Sequence, residues 1–521
     1  IYEHEKSEVQ NAGFIYVVMT HIGTIFLMIA FFILQNYSGS VEFEHMNHVH
    51  MPKSVQSWVF ICALIGFGTK AGLVPMHIWL PRAHPSAPSH ISALMSGIMI
   101  KTALYGFLLF ILQFLQSGPI WWGITVVLIG GNTALFGVLH AFGKTDIKRM
   151  LAYSSIENMG LMFLGIGIAL IFITEEQPLL ASFALMAVLF HLMNHAFFKS
   201  LLFMGAGSVL MVCHTKNMNL LGGLIRRMPW TALFMLIGSL SIAAMPPMNG
   251  FISEWMLFQS IFTLGFFGDS IVMHLFGTLM VALFAMVGSL VAFLFIRFFS
   301  MTFLALPRSE KVEQSREVPI SMRIGMGLLS LGCILLGVIP FVMFGVIQKS
   351  ISVLTGVSSI PNVVMTPTMV GTSSGKISLG VTGLLIICGL IFAWLIVRFI
   401  GGKTKTLRDE TWACGISLNS RMTYTASGFS KHLRVAFRLL MKPSRNLIVV
   451  KDQQNPIFVH RYTYVSQIPS IIENTFYRPI MFFLVKGANI FRKIQNGIVQ
   501  SYLLYLLATL VFMLIWVMGR N

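Results

Sequence analysis

Apolar runs of about 20 residues recur along this chain, and they constrain its fold more than any other feature of the sequence. A helix needs a run of that length to cross the hydrocarbon core of a bilayer. Only 10% of the 521 residues are charged, whereas 56% are hydrophobic, which is too few charges to cover a water-facing surface. We therefore predict an all-α polytopic membrane protein. By the length criterion, about eleven spans are expected, near residues 13–35, 56–80, 91–116, 120–142, 156–174, 179–212, 230–264, 271–299, 322–346, 377–400 and 499–518.

The charges that remain are unevenly distributed between the loops. The chain has 36 Lys and Arg against 18 Asp and Glu, an excess that in a soluble protein would suggest nucleic acid. In a membrane protein, basic loops stay on the cytoplasmic side. Here basic loops alternate with neutral or acidic ones, which predicts a cytoplasmic amino terminus, an external carboxyl terminus and no nucleic-acid partner. The basic loops carry Lys144, Lys148, Arg149, Lys216, Arg226, Arg227, Arg308, Lys311, Arg316 and Arg323.

Residues 401–498 depart from the apolar pattern. They contain 15 Lys or Arg against four Asp or Glu, with only short apolar stretches such as Ile480–Val485. We interpret this part as a cytoplasmic segment that is partly amphipathic and lies along the membrane surface. Two roles stay open for it. It is either a tether for the last helix or a docking surface for a partner.

The chain carries no sequence signature of a cofactor. Its five cysteines form no CxxC pair, which argues against a metal cluster or a disulfide framework, and it has no GxxxxGK[ST] phosphate loop. His191 and His195 have the i, i+4 spacing of two zinc ligands. No third ligand is apparent, however, and the cation of Lys199 one turn further on would repel a metal ion. We predict neither a metal nor a cofactor.

Two of the predicted spans are interrupted by glycine and proline. Residues 66–75 (GFGTKAGLVP) break the second span and include Pro75, and residues 244–250 (AMPPMNG) break the seventh and include Pro246 and Pro247. Proline removes a backbone donor and distorts a helix. Freed backbone groups at membrane depth are tolerated only inside protein or along a water-filled cavity. A pair of broken helices in two halves points to inverted repeats and a transport path, although ordinary kinks would need no function.

Six ionisable residues lie inside the predicted spans, where a charge costs roughly 2.5 kcal/mol or more. Burial favours the neutral forms of lysine and of a carboxyl group, and histidine titrates near neutral pH. Groups of this kind can exchange protons. The two histidines and one lysine of the sixth span also recur every four residues on one helical face. We predict a proton pathway through Lys70, Lys101, His191, His195, Lys199 and Glu254.

Long motifs in the same regions resemble the antiporter-like membrane subunits of respiratory complex I. They are Gly68–His84 (GTKAGLVPMHIWLPRAH), Lys148–Ser155 (KRMLAYSS) and Phe190–Lys199 (FHLMNHAFFK). Within that superfamily, three further stretches are most similar to the family of hydrogenase-4 component B and formate hydrogenlyase subunit 3. These stretches are Ala87–Gly97 (APSHISALMSG), Pro246–Trp255 (PPMNGFISEW) and Thr411–Gly415 (TWACG).

The resemblance implies two inverted five-helix repeats, each with a broken helix, and a polar axis through the membrane. Lys70 then matches the lysine of the broken helix, Lys101 the lysine of the following helix, and Glu254 the acidic residue of the second broken helix. The ionisable residues of the sixth span match the central relay. The supporting positions are His77, His84, Pro75, Pro246 and Pro247.

The expected organisation combines the repeats with the composition of the carboxyl-terminal part. It has the remaining half of the first repeat, the second repeat, two further transmembrane helices, the basic segment and a final helix. The family also has about five helices before the point where Ile1 begins, the fifth with a glutamate for Lys70. We therefore expect an amino-terminal truncation and no identifiable partner for Lys70. The boundaries are 1–116, 117–299, 300–400, 401–498 and 499–521.

The function implied by the resemblance is proton translocation by one membrane subunit of a redox-driven complex. The chain would have no catalytic site of its own. Its partners would be other membrane subunits and a peripheral redox module, which is hydrogenase-like, formate hydrogenlyase-like or quinone-linked. The location would be the cytoplasmic membrane of a bacterium or an archaeon. Two alternatives remain: a membrane anchor that does not pump, and a stand-alone Na⁺(K⁺)/H⁺ antiporter subunit.

Overall fold

The computed structural model describes most of the chain as helices. Nine helices among the described residues are long and apolar enough to cross a membrane, and the only strands in this part form one antiparallel pair. The prediction of an all-α polytopic membrane protein is therefore confirmed. The chain divides into two units, Ile1–Phe437 and Arg438–Asn521. The described residues are 3–47, 49–116, 118–304, 306–355, 379–400, 412, 414–416, 418–451, 459–492 and 497–519.

Twelve long helical segments make up the described part of the first unit. They are α1 (Ser7–Ser38), α2 (Lys53–Ser86), α3 (Ser89–Leu115), α4 (Ile120–Phe142), α5 (Ile147–Thr174), α6 (Pro178–Cys213), α7 (Pro229–Ile242), α8 (Asn249–Leu264), α9 (Ile271–Leu304), α10 (Ile320–Val338), α11 (Phe341–Thr355) and α12 (Leu379–Ile400). Short helical turns lie at Phe43–Met46, Met218–Leu220, Leu224–Arg226, Glu310–Glu313, Ser420–Met422, Ala426–Phe429 and Lys431–Ala436.

Both interruptions predicted from glycine and proline are present. The helical hydrogen bonding of α2 stops at Ala71, passes through a short turn at Met76–Trp79 and resumes at Leu80. The second interruption separates α7 from α8 over residues 243–248. We call these two places the first break and the second break.

Helices α5 and α6 form the centre of the unit. Helix α6 packs against α5, α7, α8 and α10. Helix α4 approaches α5 very closely because glycines face its backbone. A Cβ atom added at Gly137 would lie only 2.6 Å from the backbone nitrogen of Glu157. Gly130 lies in the same way against the backbone of Leu164.

Two of the predicted spans have the wrong limits. The span predicted at 322–346 consists of two helices, α10 and α11, because Pro340 lies between them and cannot donate a helical hydrogen bond. The span predicted at 156–174 begins earlier, at Ile147. Asp146 caps this helix by accepting a hydrogen bond from the Arg149 backbone at 3.0 Å. Arg149 and Lys148 therefore lie in the first turn of α5 rather than in a loop.

The first part of the predicted basic segment packs on one end of the bundle. Arg308 donates to the Tyr424 carbonyl at 2.6 Å, and Arg297 Nε donates to the Ala426 carbonyl at 2.9 Å. Arg297 also donates to the Lys144 carbonyl at 3.0 Å. The segment and the basic loop before α5 therefore share the same end of the bundle, which we call the basic face.

The second unit contains the strand pair and two long helices. After a turn at Arg438–Met441, strand β1 (Ser444–Lys451) pairs antiparallel with β2 (Val459–Gln467). Helix α13 (Arg478–Arg492) follows a helical turn at Glu473–Tyr477 and contains the apolar stretch noted in the sequence. Helix α14 (Val499–Met518) is long and apolar enough to cross a membrane, as predicted for 499–518.

Candidate functional site

Polar side chains collect in the middle of the first unit, between α3, α5, α6 and α8. None of them exposes more than 8% of its surface. Five of the six ionisable residues predicted from the sequence belong to this group, and Lys70 lies apart from it. We call the group the central polar network. Its members are Ser96, Lys101, Ser154, Ser155, Glu157, Asn158, His191, Asn194, His195, Lys199, Asn249, Ser253 and Glu254.

Lys199 connects α6 to α5. Its Nζ atom donates to Ser154 Oγ at 2.5 Å and to the Leu151 carbonyl at 3.1 Å. The Ser154 hydroxyl in turn donates to the same carbonyl at 3.1 Å. The lysine amine is therefore held by neutral oxygen atoms inside the protein, at a fully buried position.

Lys101 connects to α5 through α3. Its Nζ atom donates to the Ser96 carbonyl at 2.7 Å. Ser96 lies in a π-helical turn, Met95–Met99, an irregularity that frequently occurs at functional sites. The Ser96 hydroxyl is 2.7 Å from the Ser155 hydroxyl. Both buried lysines of the network are thus linked to consecutive serines of α5.

A chain of hydrogen bonds continues from α5 across α6 to α8. Asn158 donates to the Ser154 carbonyl at 2.9 Å and to Glu157 Oε2 at 2.5 Å. The Asn158 side-chain oxygen is 3.2 Å from His191 Nε2. The other ring nitrogen, His191 Nδ1, is 2.9 Å from Ser253 Oγ. His191 therefore bridges two helices with both of its ring nitrogens.

The chain of bonds ends at the second break. Asn194 Nδ2 donates to Ser253 Oγ at 3.1 Å and to the Asn249 carbonyl at 2.9 Å. Asn249 Nδ2 donates back to the Asn194 side-chain oxygen at 3.3 Å. Since Asn249 is the first residue of α8, these bonds tie the broken backbone to α6. Pro246 and Pro247 lie within the break, as predicted.

His195 and Glu254 belong to the same interior by their electrostatic contacts. His195 interacts with the charges of both Lys101 and Lys199. Neither of its ring nitrogens has a hydrogen-bond partner in the part of the chain that the structure describes. Glu254, on α8, interacts with Glu157 on α5. His191, His195 and Lys199 all face the protein interior, as their spacing along α6 predicts.

The first break has a different environment. Lys70 is half-buried, and its Nζ atom donates to the Tyr16 hydroxyl at 3.3 Å and lies 5.5 Å from the centre of that ring. The expectation that Lys70 has no identifiable partner is therefore wrong, because a tyrosine of α1 takes that place. Lys70 also lines a cavity of about 270 Å³ together with Thr20 and Thr24 of α1 and Thr69.

The supporting residues lie around the first break. Pro75 precedes the turn at Met76–Trp79. His77 and His84 are both buried, His77 with its ring centre 4.7 Å from that of Phe136 and His84 stacked on Phe203 at 5.0 Å. Neither histidine is hydrogen-bonded to the central polar network among the described residues.

Several members of the network were not predicted. Glu157 and Asn158 are buried in α5, which was expected to begin at residue 156, so both were taken as part of a helix end. The capping Asp146 was the signal for the true start of that helix. Tyr16 carried no such signal, since a tyrosine in an apolar helix is ordinary.

Sequence comparison agrees with the membrane fold and the polar interior. Residues 1–280 match the family described as NADH:quinone oxidoreductase/Mrp antiporter, TM. The chain belongs to this family. The resemblance inferred from the motifs is thereby confirmed.

Relatives of this antiporter-like protein match along nearly its whole length. Hydrogenase-4 component B of Escherichia coli (strain K12) is 36% identical over 516 residues, which are 97% of this chain and 75% of that protein. Formate hydrogenlyase subunit 3 of the same strain is 32% identical over 433 residues, 82% of this chain and 68% of that protein. An archaeal structure, the membrane-bound sulfane sulfur reductase, has the same fold with a TM-score of 0.72 and 23% identity, covering 97% of this chain and 76% of its own.

Proposed function

We propose that this chain is a proton-translocating membrane subunit of a redox-driven complex and that the central polar network carries the protons. The observation that supports this most is the continuous set of hydrogen bonds from Lys199 through Asn158 and His191 to Ser253. These bonds cross three helices in the interior of a membrane protein. Polar groups at membrane depth are costly and are retained chiefly for function.

The chemistry of the members fits proton transfer. Lysine and histidine exist in charged and neutral forms, so both can accept and release a proton. Lys101 and Lys199 are held by carbonyl and hydroxyl oxygens rather than by carboxylates. No salt bridge therefore locks either amine in its charged form among the residues that the structure describes.

We assign the proton pathway to Lys70, Lys101, His191, His195, Lys199 and Glu254. In this assignment His195 passes protons between the two lysine sites, since its charge contacts reach both. Glu254 connects the network to the second break, and Lys70 serves the first. The two breaks then belong to two inverted repeats, with boundaries at 1–116 and 117–299.

The partners are membrane subunits and a peripheral redox module, by analogy with the named complexes of the relatives. The location is the cytoplasmic membrane of a bacterium or an archaeon, with the basic face in the cytoplasm. Lys431 is exposed there. A cysteine at this position should react with a membrane-impermeant reagent only from the cytoplasmic side, and labelling from outside intact cells would refute the orientation.

A second candidate function is Na⁺/H⁺ antiport. A Na⁺/H⁺ antiporter protein of Bacillus subtilis (strain 168) is 32% identical over 327 residues, which are 40% of that protein. An antiporter would acidify or alkalinise vesicles in response to an imposed Na⁺ gradient. A redox-driven proton subunit would respond to electron transfer and not to that gradient.

The deciding experiment compares two lysine variants in proteoliposomes of the intact complex. Proton movement is followed with an internal pH dye under an imposed K⁺ diffusion potential, so no electron donor is needed. Lys199→Met should abolish it, whereas Lys53→Met, at an exposed lysine of α2, should leave it unchanged. Proton movement that survives in Lys199→Met would contradict the function, and a wild-type complex without it would indicate a membrane anchor.

A further inference from the structure

A second set of titratable side chains lies outside the central polar network. It consists of His77, His140, Tyr153 and Lys144, and we call it the α4 row because α4 organises it. Thr133 and His140 are seven residues apart and therefore lie on the same face of α4, and Lys144 follows just after the helix ends. His77, His140 and Tyr153 are buried, with at most 6% of their surface exposed.

The row begins at the first break. The backbone N–H of Val74 donates to Thr133 Oγ1 at 3.1 Å, which ties the break to α4. The ring of His77 lies 4.7 Å from the ring of Phe136, and the ring of His140 stacks on the same phenylalanine at 3.8 Å. The two histidines are close enough for their charges to interact.

The row ends at the basic face. The ring of His140 stacks on Tyr153 of α5 at 5.7 Å. The Nζ atom of Lys144 lies 5.3 Å from the centre of the same tyrosine ring. Lys144 is in the loop before α5, where burial and the nearby charge of Arg434 lower its pKa. Thr133 to His140 is seven residues, or roughly 10 Å along the helix axis, so the row extends from the break towards the cytoplasmic end of α4.

Both histidines have the same hydrogen-bonding arrangement. His140 Nδ1 is 3.0 Å from the Phe136 carbonyl, and His77 has a backbone hydrogen bond to Pro75. A carbonyl only accepts, so the ring nitrogen facing it carries the proton. The remaining nitrogens, His140 Nε2 and His77 Nδ1, are then acceptors. Both are buried and have no hydrogen-bond partner in the part of the chain that the structure describes.

We propose that the α4 row is a proton access route between the basic face and the first break. Buried acceptors are normally satisfied by protein or by ordered water, so two of them in one row indicate a hydrated path. A proton from water binds the free nitrogen of His140, and the N–H on its other nitrogen then releases a proton. One N–H bond forms as another breaks, and no electrons move. Water passes the proton to His77 beside the ring of Phe136.

This route rests on the proposed function, and its test uses the same proteoliposomes. His140→Phe keeps the stacking on Phe136 and Tyr153 but cannot bind a proton. His140→Gln keeps a donor for the carbonyl but also cannot be protonated. Both variants should lower the initial rate of proton movement by about tenfold, a modest share of what a proton-transfer group contributes. Leu139→Met, a conservative change at the neighbouring buried residue, is the control.

The outcomes separate the route from the function. If wild-type complex moves protons and His140→Phe moves them equally fast, the route is refuted while the function stands. If wild-type complex moves none, the function itself fails. Hydroxyl-radical labelling of wild-type complex gives a second measurement, since radicals generated from internal water oxidise nearby side chains. Tyr153 should be oxidised and Phe163, which is equally buried in α5, should not. Protection of Tyr153 equal to that of Phe163 would also overturn the proposal.

Discussion

The two breaks both contain glycine and proline, but their surroundings are opposite. At the second break, Asn249 is bound by Asn194 of α6, and the hydrogen bonds continue to His191 and beyond. At the first break, Lys70 is bonded to Tyr16 of α1. Helix α1 is 22% buried over its most apolar stretch, whereas that of α5 is 94% buried. The second break therefore lies against a buried, connected interior, and the first lies against an exposed helix.

This difference shows that a broken helix acquires its properties from its neighbours. Glycine and proline open the backbone in both places. Only at the second break does an asparagine of another helix take up the opened backbone and relay it to titratable groups, among the residues that the structure describes. The comparison predicts that changes near the second break reduce proton movement more than changes near the first.

The largest effect is expected where the network can be cut in two. Asn158→Leu keeps the approximate size of the side chain but removes the bonds to Glu157 and His191. Proton movement in proteoliposomes should fall about a hundredfold, within the range of proton-transfer groups. Asn132→Leu, at an exposed asparagine of α4 that bonds to its own helix, should have no effect. Equal rates in both variants would disprove the connection.

Glu254 tests the same side of the comparison with a graded change. Glu254→Gln keeps the shape but cannot carry a proton as a carboxyl group does, so proton movement should fall at least about tenfold. Glu254→Asp keeps the carboxyl group on a shorter chain and should retain part of the rate. The assignment fails if Glu254→Gln is as active as wild type, or if the aspartate variant is the slower of the two.

The first break should respond less. Tyr16→Phe removes the hydroxyl that accepts from Lys70 but leaves the ring 5.5 Å away. A hydrogen bond of this kind contributes only about 1 kcal/mol, so the rate should change less than about fivefold. Tyr105→Phe, at an exposed tyrosine of α3, is the control. A loss as large as that of Asn158→Leu would mean that both breaks are equally coupled.

The smallest effect on transport, and a clear one on stability, is expected at the contact between α4 and α5. Gly137→Ala would place a Cβ atom 2.6 Å from the Glu157 backbone. Such overpacking typically costs about 1–3 kcal/mol, so the solubilised complex should unfold at a lower temperature. Gly131→Ala, on the same helix, would meet no atom closer than 3.5 Å and should unfold like wild type. Identical melting curves for the two variants would argue against the tight contact.

Much of the fold could be predicted because lipid imposes a simple pattern. Apolar runs located the spans, and proline with glycine located both breaks. Lys101, Lys199 and Glu254 were found because charged residues are rare in such runs. Boundaries were less accurate, since a polar first turn such as that of Lys148 and Arg149 reads as a loop.

The connections between residues could not be predicted from the chain alone. Serine, asparagine and tyrosine occur in many membrane helices without any special role, so Ser155, Asn158 and Tyr16 attracted no notice. Their importance comes from which helix they face, and that is set by packing, such as the close approach of α4 and α5 at Gly137. His140 was missed for the same reason, because it is the single histidine of its helix.

The most direct test of the account is Lys101→Arg. Arginine keeps the positive charge but does not give up its proton, so it separates a proton-exchanging amine from a charge that only holds helices together. The buried Lys101 amine, bonded to the Ser96 carbonyl at 2.7 Å, should be replaceable in structure but not in function. The account predicts that Lys101→Arg and Lys101→Met both insert into the membrane and abolish proton movement in the assembled complex. Near-normal proton movement in Lys101→Arg would contradict it.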